Sequence, residues 1–281
     1  MRVLVTGLDG FTGRYVQAEL KASGHEVIEF KADLRDTKET EAEVMRARPE
    51  AVVHLAAIAF VAHDDARDIY DVNLVGTRNL LAALARHAPK IGAVLLASSA
   101  NVYGNQHEGL IDETCPTMPA NDYAVSKLAM EQMAGLWLSR LPIFITRPFN
   151  YTGVGQEERF VIPKIVAHFR ARKPVIELGN LDVWREYGDV RVVARTYARL
   201  LARCPTGDTL NVCSGQAHSL REVLEICSEI SGHDIEVRQN PAFMRDNEIR
   251  ELRGDNTRLK AIVGELDYPP LQETLAWMLQ S

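Results

Sequence analysis

Short apolar runs alternate with amphipathic helical patterns through the first half of the chain, and this alternation restricts the fold more than any other feature. The apolar runs that we interpret as strands are residues 3–5, 26–30, 51–55, 93–98 and 142–147. The helical patterns around them cover residues 11–22, 37–48, 64–87 and 123–139. Repeated strand–helix–strand units are typical of an α/β fold in which helices cover both faces of a parallel sheet. The sequence therefore predicts a doubly wound parallel sheet.

The second half of the chain has a more mixed pattern. Predicted helices cover residues 160–172, 190–201, 219–230, 257–263 and 271–279, and predicted strands cover residues 175–177, 209–212 and 235–237. We expect such a half both to extend the sheet and to build a small lobe over its carboxyl edge, where open parallel sheets bind ligands. The predicted organisation is a sheet domain of residues 1–158, completed by about 186–232, and a lobe of about residues 159–185 and 233–281.

Composition and charge exclude several classes of protein. Of the 281 residues, 46% are apolar and 25% are charged, which excludes a disordered or collagen-like chain. The 38 acidic residues outnumber the 32 basic ones, and the net charge of −6 argues against a nucleic-acid partner. Every apolar run falls short of the roughly 20 residues that cross a membrane, and no signal-peptide pattern opens the chain. We expect a cytoplasmic protein without a membrane partner.

The cysteines support the same expectation. Cys115, Cys204, Cys213 and Cys227 show no C-x-x-C spacing. Free thiols in a reducing compartment are therefore favoured over a disulfide framework or a zinc site, and we predict no bound metal.

A glycine-rich segment directly follows the first predicted strand. Its glycines are spaced three apart, at positions 7, 10 and 13, and a predicted helix follows. Glycines in this place allow a tight turn and a close approach of the backbone to a pyrophosphate, which then meets the helix N-terminus. A lone glycine cluster is usually only a turn, but its position between strand and helix favours a dinucleotide-binding loop. The candidate cofactor contacts are Thr6, Gly7, Asp9, Gly10, Phe11, Thr12 and Gly13.

The end of the second predicted strand bears on the choice of cofactor. Lys31 stands where NAD-binding units usually carry an acid that binds the adenosine ribose. A cation there tolerates or attracts a 2′-phosphate, so NADPH is favoured and NAD remains possible. An exposed strand-end lysine is an equally consistent interpretation. Asp33 and Leu34 follow, and we interpret them as a pair that contacts the adenine, with an ordinary loop acid as the alternative.

A hydroxyl, a phenol and an ammonium form the candidate catalytic set. Tyr123 and Lys127 lie four residues apart on one face of a predicted helix, and Ser98 and Ser99 end the fourth predicted strand. The ordinary pKa of tyrosine, near 10, is too high for efficient acid–base catalysis at neutral pH. We expect the ammonium of Lys127 to lower the pKa of Tyr123. The phenol then exchanges a proton with a carbonyl oxygen that a serine hydroxyl also binds.

These residues belong to a longer series of motifs. The series comprises T-G-x-x-G-x-x-G at residues 6–13, His54-Leu55-Ala56-Ala57, Asn73-Leu74-Val75-Gly76-Thr77, residues 98–104, Tyr123 with Lys127, Arg147-Pro148-Phe149-Asn150 and residues 185–190. In this order the motifs resemble those of the short-chain dehydrogenases/reductases, in particular the extended branch that acts on nucleotide sugars. The resemblance implies a Rossmann-type sheet with a small discontinuous C-terminal substrate lobe and an NAD(P) cofactor. It also implies catalytic Ser99, Tyr123 and Lys127, and cofactor contacts at Tyr123, Lys127, Leu55, Ala56, Ala57, Asn73 and Arg147.

The resemblance also narrows the reaction. Dehydratases of the family carry an Asp–Glu pair directly after the catalytic hydroxyl, where this chain has Ala100 and Asn101. The second half is most similar to GDP-4-keto-6-deoxy-D-mannose reductases. This implies reduction of the C4 ketone of a GDP-linked 4-keto-6-deoxyhexose, giving GDP-D-rhamnose or its talo isomer. The implied substrate contacts are Ser99, Asn101, Asn150, Arg185 and Arg245.

Two other functions remain open at this point. A nucleotide-sugar 4-epimerase would retain its NAD, and a non-catalytic NAD(P)-sensing protein would be expected to lack the tyrosine or the lysine, both of which are present. The resemblance further implies a homodimer that pairs the helices at 64–87 and 123–139 into a four-helix bundle.

Overall fold

The computed structural model describes residues 1–59, 66–105, 108–243 and 250–281. The strands are, in chain order, β1 (Arg2–Thr6), β2 (Glu26–Glu29), β3 (Ala51–His54), β4 (Ala93–Ala97), β5 (Gly109–Ile111), β6 (Ile143–Pro148), β7 (Tyr151–Thr152), β8 (Val175–Leu178), β9 (Trp184–Arg185), β10 (Gly188–Asp189), β11 (Thr209–Val212), β12 (His218–Ser219), β13 (Glu236–Gln239) and β14 (Glu251–Gly254). The α-helices are α1 (Phe11–Ala22), α2 (Thr37–Ala47), α3 (Ala66–Tyr70), α4 (Thr77–His87), α5 (Asp122–Gly135), α6 (Val161–Arg170), α7 (Val190–Arg203), α8 (Leu220–Ser231), α9 (Thr257–Val263) and α10 (Leu271–Gln280). A π-helical segment, Asp71–Gly76, joins α3 to α4, and 3₁₀ turns lie at Ala100–Tyr103 and Pro241–Phe243.

Within the described chain, six parallel strands form the central sheet in the order β2–β1–β3–β4–β6–β11. The chain runs outward from β1 to β2 and then returns to β3 on the other side of β1. In open α/β sheets, ligands bind outside the carboxyl ends of the strands at such a reversal. The prediction of a doubly wound parallel sheet is confirmed, and the sheet order places the candidate site beyond β1, β3 and β4.

Helices cover both faces of this sheet because alternate side chains of each strand point in opposite directions. On β1, Val3 and Val5 enter one core with α1, α7 and α9. Leu4, between them, enters a second core with α2, α4 and α5. All three side chains are fully buried. Burial of each such side chain contributes about 1.5–3 kcal/mol, so the two cores fix the strand ends from both sides.

The two long predicted helices differ in detail from the structure. The helix predicted over residues 64–87 is present from Ala66 to His87 as α3, the π-helical segment and α4, and residues 64 and 65 lie outside the described residues. The helix predicted over 123–139 ends at Gly135. The amides of Leu136 and Trp137 bond to carbonyls three residues back, at 3.1 and 3.0 Å, instead of four. Glycine costs about 1 kcal/mol in a helix interior, and this tighter turn follows it.

The second half extends the sheet with β11 and also builds a lobe. The lobe has its own core, formed by α6, α8, α10 and β8. Its strands pair in small sheets, one of them β12–β9–β14–β5. By packing, α8 groups with the lobe, whereas α9 packs against α7 and β11 in the core of the large sheet. The sequence pattern predicts the reverse grouping, with α8 in the sheet domain and α9 in the lobe.

The four cysteines are unpaired thiols, as predicted. No helix in the part of the chain that the structure describes is long and apolar enough to cross a membrane.

Candidate active site

The glycine loop connects β1 to α1 at the carboxyl edge of the sheet. Gly7 has φ of 69°, and a Cβ there would lie 2.9 Å from the amide nitrogen of Ala56. A Cβ at Gly13 would lie 2.3 Å from the carbonyl oxygen of Gly7. The N-cap residue of α1 is the exposed Gly10, which has no side chain that could cap the helix. The uncapped helix N-terminus and the closely packed glycine backbone therefore fit a bound pyrophosphate.

The remaining loop residues lie around this turn. Asp9 is exposed, and Thr6 is fully buried at the end of β1. The hydroxyl of Thr12 lies 2.8 Å from that of Tyr151, on which Phe11 stacks with ring centroids 6.1 Å apart. The first turn of α1 is thus held by the segment that follows β6.

A second cation, Arg35, follows Lys31 in the segment between β2 and α2. The Lys31 side chain is 71% exposed, and its ammonium lies 3.4 Å from the Glu29 carboxylate. Arg35, which the sequence reasoning missed, bonds both carboxylate oxygens of Asp33, at 3.0 and 2.8 Å. These bonds lower the pKa of Asp33 below its ordinary value. Leu34, which lies between Asp33 and Arg35 in the sequence, is buried in the second core. Asp33 and Arg35 are exposed to solvent.

Ser99, Tyr123 and Lys127 are brought together by the ends of two elements. Ser99 follows β4 and caps the 3₁₀ turn by accepting the amide of Asn101, at 3.2 Å. Asn121 caps α5 by accepting the amide of Ala124, at 2.9 Å, and thereby sets where the helix face of Tyr123 and Lys127 begins. The hydroxyl of Ser99 lies close enough to the phenol of Tyr123 to lower its pKa.

The ammonium of Lys127 completes the group. It donates to the carbonyl oxygen of Ala97, at 2.7 Å, at the end of β4. Ser98 differs from Ser99, because its buried hydroxyl has no hydrogen-bond partner among the described residues. Of the two serines, Ser99 is therefore the one that contacts the phenol.

The electrostatics of this group differ from the sequence expectation. Burial raises the pKa of Tyr123 to about 12, against the hydroxyl of Ser99, which lowers it. Burial also lowers the pKa of Lys127 to about 8, against the carboxylate of Glu131, which raises it. The predicted net lowering of the Tyr123 pKa by Lys127 is wrong for the protein alone, because desolvation of the phenolate is the largest influence on this pKa and raises it. At neutral pH the phenol is protonated and can donate.

Glu131 is a second residue that sequence reasoning missed. It lies one turn beyond Lys127 on α5, and its carboxylate accepts two bonds from Arg147, at 3.0 and 2.6 Å. The Arg147 guanidinium also lies 4.9 Å from the ring centroid of Tyr103, whose hydroxyl donates to Asn211 at 2.7 Å. The resemblance suggests that Arg147 contacts the cofactor, and the structure places it in this buried ion pair. An acid four residues after Lys127 was the available signal.

The segment after β3 is anchored from within the protein. Leu55 and Ala56 donate their amides to the hydroxyl of Thr6, at 3.1 and 3.0 Å. The side chain of Asn73 bonds both backbone groups of Ile58. Leu55, Ala56 and Ala57 are partly buried beside the glycine loop, whereas Asn73 is almost completely buried behind them.

The predicted substrate contacts other than Ser99 that the structure describes lie on three separate segments of the chain. Asn101 and Asn150 are exposed, after β4 and β6 respectively. Arg185 lies on β9, and its guanidinium donates to the carbonyl oxygen of Trp184 at 2.8 Å. Arg245 lies outside the described residues.

Glu186, next to Arg185, is another residue that sequence reasoning missed, and it holds several backbone segments together. Its buried carboxylate accepts the amides of Ser214, Gly215 and Gly254, at 2.7, 3.3 and 2.5 Å, and the Ser214 hydroxyl. Burial nevertheless raises its pKa above the ordinary value. Glu186 therefore joins β9 and β14 of the lobe to the segment that follows β11.

Comparison with known proteins decides the family. The model of the NAD dependent epimerase/dehydratase family matches residues 3–213. The chain belongs to this family. The match and the arrangement of Ser99, Tyr123 and Lys127 confirm the predicted recognition and the predicted enzyme class, an NAD(P)-dependent oxidoreductase of the extended short-chain type.

Two curated relatives cover nearly all of the chain. GDP-6-deoxy-D-talose 4-dehydrogenase from Aggregatibacter actinomycetemcomitans is 34% identical over 95% of this chain and 92% of its own length. GDP-6-deoxy-D-mannose reductase from Pseudomonas aeruginosa is 36% identical over 94% of this chain and 91% of its own length.

Two solved structures share the fold along the whole chain. A Burkholderia cenocepacia J2315 protein, named as a candidate epimerase, is 49% identical and superposes with a TM-score of 0.95, covering 99% of this chain and 97% of that one. The structure of RMD from Pseudomonas aeruginosa complexed with NADPH is 33% identical, with a TM-score of 0.90, and covers 100% of this chain and 97% of that one. A nicotinamide cofactor is therefore supported.

Proposed function

We propose that this protein reduces the C4 ketone of a GDP-linked 4-keto-6-deoxyhexose with NADPH. The observation that carries the proposal is the convergence of Ser99, Tyr123 and Lys127 at the sheet edge, beside the uncapped start of α1. The names of the two curated relatives support the GDP-6-deoxyhexose. The sugars in these two names, 6-deoxy-D-mannose (D-rhamnose) and 6-deoxy-D-talose, differ only in configuration at C4. This is the carbon at which the proposed ketone is reduced.

The role of each catalytic residue follows from its protonation and contacts. A bound nicotinamide would supply hydride to the ketone carbon. Tyr123, held protonated by burial, donates its proton to the ketone oxygen. Ser99 donates a hydrogen bond to the same oxygen and stabilises its developing negative charge. Lys127 places a positive charge one helical turn away and, by our proposal, also binds the nicotinamide ribose.

The residues after the catalytic hydroxyl support reduction over dehydration. Elimination of water needs an additional acid and base, and Ala100 has no titratable group, while Asn101 has an amide. One observation favours epimerisation as a second candidate, namely the name of the Burkholderia relative. A 4-epimerase would use the same phenol but would retain its NAD.

The charge at the end of β2 supports NADPH over NADH. Lys31 and Arg35 both lie there, and both extend exposed cationic groups. A 2′-phosphate is a dianion that an arginine and a lysine can bind together. In this proposal Arg35 exchanges part of its contact with Asp33 for the phosphate.

The substrate contacts stay as they were expected from the sequence. We assign the diphosphate to Arg185 and Arg245, because guanidinium groups bind phosphate oxygens in pairs. We assign sugar or diphosphate contacts to Asn150 and Asn101, whose exposed amides follow β6 and β4. Ser99 binds the reacting oxygen.

Exposed apolar residues on two adjacent helical segments support a homodimer. Val75 on the π-helical segment and Val125 on α5 are exposed apolar residues, at 42% and 38%, and Leu136 and Leu138 just beyond α5 are exposed as well. Exposed apolar groups on adjacent helices are typical of an interface between protein chains. We propose that a second copy covers them.

The test uses the purified protein with GDP-4-keto-6-deoxymannose and NADPH. We expect one NADPH to be oxidised per sugar reduced, and protein isolated without added cofactor to turn over no substrate. Epimerisation of a GDP-sugar by the protein as isolated, with NAD released on denaturation and no net oxidation of NADPH, would replace the reductase with the epimerase.

A further inference from the structure

A chain of buried side chains runs behind the candidate active site, from the end of β1 to α5. It passes from Thr6 through His54, Thr77 and Asn73 to Ser126. Each of these residues is at most 2% exposed. Among the described residues, none of their side chains hydrogen-bonds to the hydroxyl of Ser99 or to the phenol of Tyr123, so the proposed chemistry leaves their purpose open.

The directions of the hydrogen bonds on both sides of His54 can be derived from its partners. The backbone carbonyl oxygen of Asn73 can only accept a hydrogen bond, so the hydroxyl of Thr77 donates to it, at 2.7 Å. Thr77 has no second hydrogen, so Nε2 of His54, at 2.8 Å, donates to Thr77. The other nitrogen of a neutral imidazole accepts. His54 is therefore the Nε2–H tautomer.

The other side of the ring agrees with this assignment. The hydroxyl of Thr6 lies 2.7 Å from Nδ1 of His54 and already accepts the amides of Leu55 and Ala56. With both lone pairs occupied, its hydrogen is left to donate to Nδ1. A protonated ring would need a third acceptor site on Thr6. Burial and the positive charge of Lys127 act in the same direction and lower the pKa of His54 to about 3.

The far end of the chain reaches the catalytic helix. The Asn73 side chain accepts the amide of Ile58 and donates to its carbonyl and to the hydroxyl of Ser126, at 2.9, 3.2 and 3.0 Å. Ser126 in turn donates to the carbonyl oxygen of Tyr123, at 2.7 Å. The backbone of the candidate proton donor is thus tied to the strand that ends in the glycine loop, and Asn73 sits in a π-helical segment, a feature frequent at functional sites.

We propose that His54, as its Nε2–H tautomer, is a positioning residue that couples the glycine loop and residues 55–58 to the backbone of Tyr123. Asn73 is then a positioning residue too, because its amide is engaged within the protein. Binding of the cofactor against the glycine loop and correct placement of the Tyr123 phenol then depend on each other. The kinetic part of this inference rests on the proposed function, whereas the hydrogen-bond order does not.

Histidine NMR tests the hydrogen-bond order directly. In protein labelled with ¹⁵N-histidine, the His54 signals are assigned by their loss in a His54→Gln variant. We expect the nitrogen pattern of the Nε2–H tautomer, unchanged between about pH 5 and about pH 8, where an unperturbed histidine titrates. The Nδ1–H tautomer, or titration within this range, would overturn the proposal whatever reaction the enzyme performs.

A matched pair of variants tests the coupling. Thr77→Val removes the hydroxyl that bonds Asn73, and Thr196→Val removes an equally buried hydroxyl that bonds the carbonyl of Val192, four residues back on α7. We expect similar losses of thermal stability, but a fall of about fivefold to tenfold in kcat only for Thr77→Val, as one lost hydrogen bond allows. Thr77→Ser keeps the hydroxyl and should restore kcat.

Equal kcat values for Thr77→Val and Thr196→Val would show that the hydrogen bonds from Thr6 to Ser126 only stabilise the fold. If Thr77→Val does not fold, Ser126→Ala provides the same comparison, because it cuts the link between Asn73 and Tyr123. Wild-type protein without reductase activity would refute the proposed function, and the NMR result would still decide the hydrogen-bond order on its own.

Discussion

At the residue scale, the catalytic set could be predicted because it depends on short spacings. Tyr123 and Lys127 share one helix face, and Ser99 ends a strand whose neighbours are fixed by sheet order. Arg35 and Glu131 could not be assigned a partner from sequence, since a charge is recognised as paired only when the fold brings its partner near. The raised pKa of Tyr123 could not be predicted from the sequence for a related reason, because burial is a property of the whole fold.

The phenol of Tyr123 is the group on which the proposed chemistry depends most. Tyr123→Phe removes the proton donor and leaves the ring packing in place. We expect turnover to fall at least about a hundredfold, with the dissociation constant of NADPH nearly unchanged in a fluorescence titration. Near-normal turnover would remove Tyr123 from the catalytic role.

The buried ammonium of Lys127 gives the fold a pH dependence. Its pKa is about 8 in the folded protein and near 10.5 when exposed, so between these values the unfolded chain binds the additional proton. Stability should therefore rise with pH in this window relative to Lys127→Met, by up to about 3 kcal/mol. Denaturant unfolding of both proteins across this range measures the difference, and parallel curves would contradict the assigned shift.

The cations at the end of β2 carry the cofactor preference. Lys31→Asp and Arg35→Ala should each raise the KM for NADPH, by about tenfold to a hundredfold for a lost charge-assisted bond, with little change for NADH. Lys38→Ala, on the outer face of the adjoining α2, is the control. If the ratio of the KM for NADPH to the KM for NADH stays unchanged in both variants, neither residue belongs to the cofactor site.

At the scale of elements, patterns located the helices and strands but not all of their ends. The helix predicted to residue 139 ends at Gly135, because local turn bonds replace the helical ones. What holds α5 against the sheet was not visible in any pattern. The Glu131–Arg147 pair joins α5 to β6, and its partners are 16 residues apart in the chain.

Breaking this ion pair from one side should destabilise the fold. Glu131→Gln leaves the Arg147 guanidinium buried without a counter-charge, which costs about 3–5 kcal/mol. The double variant Glu131→Leu/Arg147→Met removes both charges and should recover most of that loss. Chemical unfolding of the single and double variants measures the effect, and a loss below about 1 kcal/mol for Glu131→Gln would mean that solvent reaches the pair.

At the scale of the whole molecule, the sheet and its site edge were predictable, because alternating strands and helices have few topologies available. The membership of the lobe was not. Helices α8 and α9 each bury apolar side chains, and which core each one joins depends on contacts between distant segments. We propose a division by packing, with α8 in the lobe and α9 with the dinucleotide-binding sheet.

The proposed dimer belongs to this scale as well. Val125→Asp places a charge in the exposed apolar surface of α5 and should convert a dimer into a monomer in light scattering coupled to gel filtration. Met45→Asp, at an apolar position on α2 that is 55% exposed, should leave the dimer intact. A monomeric mass for the unmodified protein at all concentrations would refute the proposed interface.

The central claim is that hydride passes from NADPH to C4 of a GDP-linked 4-keto-6-deoxyhexose at this site. The most direct measurement is the reaction with NADPH deuterated at both C4 positions of its nicotinamide, followed by NMR of the sugar product. We predict one deuteron at C4 of the sugar for each NADPH oxidised, with the rhamno or talo configuration evident from the same spectrum. A product without deuterium at C4, or sugar conversion without oxidation of NADPH, would contradict the account.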